Sequence, residues 1–200
     1  MSHPITFQDR VRATAGGVVN GAGAALHRLG VHPDVVTVAG LVVVLIAAVF
    51  IARGQFPLAG VILVLGLPLD AVDGAVARAM GRKDRRGAVL DSTLDRYADG
   101  ILFSGFVYYF AARDALDYML LALVVLVASF VVSYVRARAG EAGLAVRVGL
   151  LDRLVRMLIL IVALLIPALL VPALWIMALG GVFTGLQRLW YVYSHLDREV

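Results

Sequence analysis

Asp70-Ala71-Val72-Asp73-Gly74-Ala75-Val76-Ala77-Arg78 and, after a short basic stretch, Gly87-Ala88-Val89-Leu90-Asp91-Ser92-Thr93-Leu94-Asp95 decide how this chain is read. Asp70, Asp73, Asp91, Asp95 and Arg78 stand at the ends of long apolar runs. One aspartate at the centre of a membrane helix costs roughly 2.5–3.5 kcal/mol, so four in one cluster need compensation. Hard divalent cations such as Mg²⁺ or Ca²⁺ take carboxylate oxygens as ligands and supply it. The stretch reads as a metal site built inside a membrane protein.

Working outward, the 200-residue chain is 62% hydrophobic with a mean hydropathy of +0.92, beyond the range of a soluble globular domain. About 20 apolar residues span a bilayer. The length therefore predicts an all-α integral membrane bundle of six transmembrane helices, near 34–53, 57–80, 88–111, 116–138, 149–169 and 172–194, with no separate soluble domain. No basic-then-apolar-then-small pattern of a cleaved signal opens the chain, so the first span is expected to direct insertion. The absence of cysteine excludes disulfides and thiolate metal sites.

Residues 1–30 are set apart as a juxtamembrane segment and 31–200 as the six-span domain. Within 4–29, Arg10, Arg12, His27 and Arg28 stand among Val, Leu and Ala, the pattern of an interfacial amphipathic helix. Gly30 fits its end, and Pro33-Asp34 fits the start of the first span. Pro57, Pro167 and Pro172 fall at short outer turns. On this layout Arg53 and Arg113 lie on one side and the other 16 of 18 basic residues on the opposite side. The positive-inside rule then puts both termini and the 78–88 and 136–149 loops in the cytoplasm, at the cell membrane. The net charge of +4 follows from topology and anionic lipid, and no nucleic-acid partner is expected.

Asp70 and Asp73 are i, i+3 on the second span, and Asp91 and Asp95 are i, i+4 on the third, so each pair shares a helix face. Antiparallel packing of the two spans can bring all four around one point. Gly74 and Ala77 continue the first face almost without side chain, leaving room for another helix or a bulky ligand. Arg78 adds a planar cation suited to phosphate oxygens. Carboxylates, metal and arginine together suit phosphoryl chemistry, with two metal ions screening the transferring phosphate.

The eight positions Asp70, Asp73, Gly74, Ala77, Arg78, Gly87, Asp91 and Asp95 resemble, without departure, the signature of the CDP-alcohol phosphatidyltransferase family. The resemblance implies transfer of a phosphatidyl-type group from a CDP-linked lipid to a polar alcohol, with release of CMP. It implies that Asp70, Asp73 and Asp91 are ligands of Mg²⁺ or Mn²⁺. Asp95 would join them and act as general base on the acceptor hydroxyl. Asp73, Gly74, Ala77, Arg78 and Gly87 would line the CDP-lipid pocket, with Arg78 on the diphosphate. Asp34 and Thr37 resemble the family's Pro-x-x-x-Thr segment, which also touches the nucleotide. Asp84 stands where the family often has Ser or Thr to hold the diphosphate, with Lys83, Arg85 and Arg86 beside it to offset its charge. Homodimerisation is likewise implied by the family.

A second cluster bears on the acceptor. Ser133-Tyr134-Val135-Arg136-Ala137-Arg138 closes the fourth span, Arg153 and Arg156 open the fifth, and Gln187-Arg188 interrupts an apolar run of the sixth. Convergence of these ends would form a basic cavity, suited to a phosphorylated alcohol and superfluous for a neutral one. Ser133, Arg136, Arg138, Arg153 and Arg188 are the candidate contacts. The run resembles members of the family that join CDP-diacylglycerol to inositol phosphate, giving phosphatidylinositol phosphate. Arg136, where Lys is often found, and Arg153-Leu154-Val155-Arg156, where Arg-Pro-Glu-Arg is often found, depart from that pattern.

Each residue also has a plainer reading. An aspartate pair can serve helix packing or a proton relay, Arg136 and Arg138 can be a topological flank, and Arg188 can snorkel. Ser133 can be a helix-packing hydroxyl. Asp99, one turn beyond Asp95, lies outside the signature; it can hydrogen-bond a ligand or balance a nearby arginine, and is left unassigned. His27, His32 and His195 are too dispersed for a metal site, and Trp175, Trp190, Tyr191 and Tyr193 fit aromatic anchoring at the membrane boundary. Two further functions share some of these features: the same transfer to glycerol 3-phosphate, and cation transport along the carboxylates.

Overall fold

The computed structural model describes Gly21, Ala25 and residues 28–79 and 85–196; the side chains of 67–75, 77–79 and Arg85 are not among those described. The fold is all-α. Among the described residues six helices follow one another: α1 (Pro33–Ala52), α2 (Phe56–Ala79), α3 (Arg85–Ala111), α4 (Leu116–Glu141), α5 (Arg153–Leu165) and α6 (Leu170–His195). A 3₁₀ turn, Pro167–Leu169, joins the last two. Each expected span has its helix. Most of the expected amphipathic segment, 1–30, lies outside the described residues.

Local chemistry fixes the boundaries. α1 opens with Pro33, whose missing N–H would have no acceptor there, and Asp34 follows in the first turn. Three helices end on one device, in which the residue past the end turns left-handed and two amides reach back to the last carbonyls. After α1, Gly54 (φ +76°) donates to Ile51 and Gln55 to Phe50. After α3, Asp114 (φ +55°) donates to Ala111 and Ala115 to Phe110; after α4, Gly143 (φ +80°) donates to Gly140 and Leu144 to Ala139. Pro172 falls in the first turn of α6, where no amide is needed.

The fifth helix departs from expectation, starting at Arg153 instead of near 149. Asp152 caps it, its carboxylate accepting the Val155 amide at 3.0 Å. Gly149, at φ +127°, holds a conformation no helix contains.

The chain forms two compact units, one of Met1–Val43 with Val64–Asp95, the other of Val44–Leu63 with Arg96–Val200. In the second, Ile51, Leu102, Phe106, Leu160, Leu164 and Leu174 form the core. Small residues set its helix spacing: a Cβ on Gly105 would lie 2.7 Å from the Ala48 carbonyl oxygen, and one on Gly60 would lie 3.0 Å from a Leu165 methyl. Arg113 stacks its guanidinium 3.8 Å above the Tyr109 ring. In the first unit, Gly66 lies under Val43, and Val36 and Val76 are buried.

Pro33–Ala52, Leu116–Glu141 and Pro167–His195 are long and apolar enough to cross a membrane. On α1, Val35, Val38, Val42, Leu45, Ile46 and Val49 form an exposed apolar stripe. Water would penalise such a surface, while lipid accepts it. The chain is an integral membrane protein.

Candidate active site

The four signature aspartates fall in the first unit. On α2 the positions 70, 73, 74 and 77 repeat at i, i+3, i+4 and i+7, so they share one side of the helix. Helical register also places Gly87, Asp91 and Asp95 together on α3, with Asp91 exposed and Asp95 half-buried. A shallow groove of about 450 Å³, lined by Arg86, Val89, Leu90 and Thr93, occupies the opposite side of α3 and is not the motif face. All four motif carboxylates are hard oxygen donors, which fits a divalent cation such as Mg²⁺ or Mn²⁺.

Asp34 is half-buried, its carboxylate 3.3 Å from His32 Nδ1, and the Thr37 hydroxyl donates to the Pro33 carbonyl at 3.2 Å. Gly87 is half-buried in the first turn of α3. Gly74, Ala77 and Arg78 are placed by backbone alone, and Asp84 lies outside the described residues.

The acceptor candidates lie in the second unit. Arg188 is buried, 4% exposed, in α6. Its Nε donates to the Val148 carbonyl at 2.9 Å and its Nη1 to the Val132 carbonyl at 2.8 Å. It therefore does not snorkel. It fastens the chain between α4 and α5, helped by Thr184, whose hydroxyl accepts the Leu151 amide at 3.2 Å. Gly149 is required where this segment passes α6, because a Cβ there would lie 2.7 Å from Thr184 Cγ2 and 3.0 Å from Arg188 Nε.

Arg153 is partly exposed, its Nε 3.9 Å from Asp99 Oδ1. Arg156 is buried and bonded within the protein, its Nη1 to the Leu151 carbonyl at 2.9 Å and its Nη2 to Ser129 Oγ at 2.8 Å and Asp99 Oδ2 at 3.3 Å. Ser133 is half-buried; Arg136 and Arg138 are exposed, and Arg138 pairs with Glu141 one turn on. Asp99, which the sequence left unassigned, balances Arg156, and Ser129, Thr184 and Gly149 are structural members of this region that the sequence did not single out. Only Asp99 carried a signal, a charge inside an apolar run.

A helical membrane architecture carrying this carboxylate signature defines a class. The profile of the CDP-alcohol phosphatidyltransferases matches residues 30–186, and the chain belongs to that family of transferases. Among its relatives, the phosphatidylinositol phosphate synthase of Streptomyces avermitilis is 43% identical over 143 residues, which are 70% of this chain. The match spans 59% of that relative's length. The crystal structure of Mycobacterium tuberculosis phosphatidylinositol phosphate synthase with CDP-DAG bound superposes with a TM-score of 0.85 at 31% identity, covering 92% of this chain and 98% of that one. The same enzyme in complex with manganese and citrate gives 0.82 at 31% identity, over 91% of this chain and 93% of that one.

Proposed function

We propose that this protein transfers the phosphatidyl group of CDP-diacylglycerol to a hydroxyl of inositol phosphate, producing phosphatidylinositol phosphate and CMP. The observation that carries this reading is the complete eight-position signature, set within similarity to phosphatidylinositol phosphate synthases of 31–43% identity. The manganese complex of the Mycobacterium relative supports use of a divalent metal.

Asp70, Asp73, Asp91 and Asp95 would hold the metal, read as two ions of Mg²⁺ or Mn²⁺. When bound, such ions screen the diphosphate's negative charge against an incoming nucleophile. Arg78 binds the diphosphate through paired N–H donors. Gly74, Ala77 and Gly87 leave room for the cytidine head, and Asp34 and Thr37 orient it. Asp84 belongs to the same pocket, with neighbouring basic residues offsetting its charge. Asp95 takes the proton of the attacking hydroxyl as the new P–O bond forms and the bond to CMP breaks. Arg153 holds the acceptor's phosphate, joined by Arg188 through Nη2, the terminal nitrogen that its bonds to the Val148 and Val132 carbonyls do not use, with Ser133, Arg136 and Arg138 at its margin. The site and both termini face the cytoplasm, residues 1–30 lie along the membrane surface, and the protein works as a homodimer.

The test is CMP release by purified protein with CDP-diacylglycerol, Mg²⁺ and each alcohol in turn. Inositol phosphate is expected to support turnover, and free inositol is not. Turnover with glycerol 3-phosphate alone would reject the acceptor while keeping the reaction class, and cation flux across liposomes without CMP would reject both.

A further inference from the structure

Asp99 is 3% exposed in a membrane helix, where an acidic side chain needs a specific partner. It has several. Oδ2 accepts from the Ser129 hydroxyl of α4 and from Arg156 Nη2 of α5, and Oδ1 faces Arg153 Nε. Arg156 is committed to protein acceptors through both terminal nitrogens, including the Leu151 carbonyl just before α5. It is thus unsuited to a substrate contact. Arg153, one turn earlier, keeps 24% of its side chain exposed. The partly exposed guanidinium of Arg153 carries N–H donors that suit phosphate oxygens.

We propose that Asp99 is a positioning residue for recognition of the acceptor's phosphate: tied to Ser129 and Arg156, it fixes the first turn of α5 so that Arg153 presents its guanidinium to that phosphate. The inference rests on the reading of Arg153 as an acceptor contact. It gives the two arginines of this turn distinct parts: Arg153 binds substrate, and Arg156 holds the frame.

The experiment measures KM for inositol phosphate, KM for CDP-diacylglycerol and kcat, using the full chain in detergent with Mg²⁺. Asp99→Asn and Ser129→Ala are compared in the native and Arg153→Ala backgrounds. Asp99→Asn is expected to raise the acceptor KM about tenfold or more, and Ser129→Ala about threefold, with the lipid KM unchanged. In the Arg153→Ala background neither should raise the acceptor KM further. Equal rises in both KM values, or full additivity with Arg153→Ala, would mark a merely structural role and overturn the proposal. Should Asp99→Asn fail to fold, Ser129→Ala in the two backgrounds decides alone. If Arg153→Ala itself leaves the acceptor KM untouched, the Arg153 reading fails and this inference with it. If Arg153→Ala raises the acceptor KM while the Asp99 and Ser129 variants do not, only this inference falls.

Discussion

Gly149→Ala probes the latch that holds Arg188. At φ +127° an alanine is strained by about 1–3 kcal/mol. Its methyl would also sit 2.7 Å from Thr184 Cγ2 and 3.0 Å from Arg188 Nε. Thr184 is fully buried and Arg188 nearly so, so neither can retreat freely, and overpacking adds about 1–3 kcal/mol. The total, about 2–6 kcal/mol, is a large share of a typical folding stability of about 5–15 kcal/mol. Gly143→Ala is the control: its φ is +80°, with no atom within 4 Å of the added carbon, so only the backbone part applies. Thermal unfolding of both variants in detergent, followed by tryptophan fluorescence, separates the contributions. Gly149→Ala should melt below Gly143→Ala by about 2–12 °C, taking about 2–4 °C per kcal/mol for a chain of this size. Its acceptor KM should also rise, since the Arg188–Val148 bond must lengthen. Equal melting of the two variants would refute the close packing of this segment on α6.

Further substitutions test other contacts. Gly105→Ala, which presses a methyl on the Ala48 carbonyl, should destabilise by about 1–3 kcal/mol in the same assay, while Gly100→Ala, 3.7 Å from its nearest neighbour, should be tolerated. Thr184→Val leaves the buried Leu151 amide without its acceptor and should cost about 1–3 kcal/mol, whereas Thr184→Ser should retain most of the stability. Asp95→Asn should lower kcat by about 10²–10⁴ without a fall in melting temperature, and unimpaired turnover would contradict its role as base.

The helices were legible because long Val/Leu/Ile runs are local signals; the turns at Gly54, Asp114 and Gly143 that end three of them came from the structure. The start of α5 was not, because Leu150 and Leu151 extend its apolar pattern. What keeps them out of the helix is the Asp152 cap together with Thr184 and Arg188, distant in sequence. The metal-ligand candidates were legible for the opposite reason: carboxylates in an apolar run stand out, and their i, i+3 and i, i+4 spacing is read directly. The division of labour among the arginines was hidden. Arg153 was among the candidate contacts, but the internal role of Arg156 shows only in its bonds to buried Asp99 and Ser129. Arg188 stood out as a charge in α6, but its two carbonyl partners come from segments 40 and 56 residues away.

The central claim is that four carboxylates from α2 and α3 grip divalent ions that enable transfer. Anomalous X-ray scattering from Mn²⁺-soaked crystals of the purified protein tests it most directly. Peaks bounded by Asp70, Asp73, Asp91 and Asp95, lost in Asp91→Asn together with CMP release, are the expected result. Manganese bound elsewhere, with turnover intact in Asp91→Asn, would contradict it.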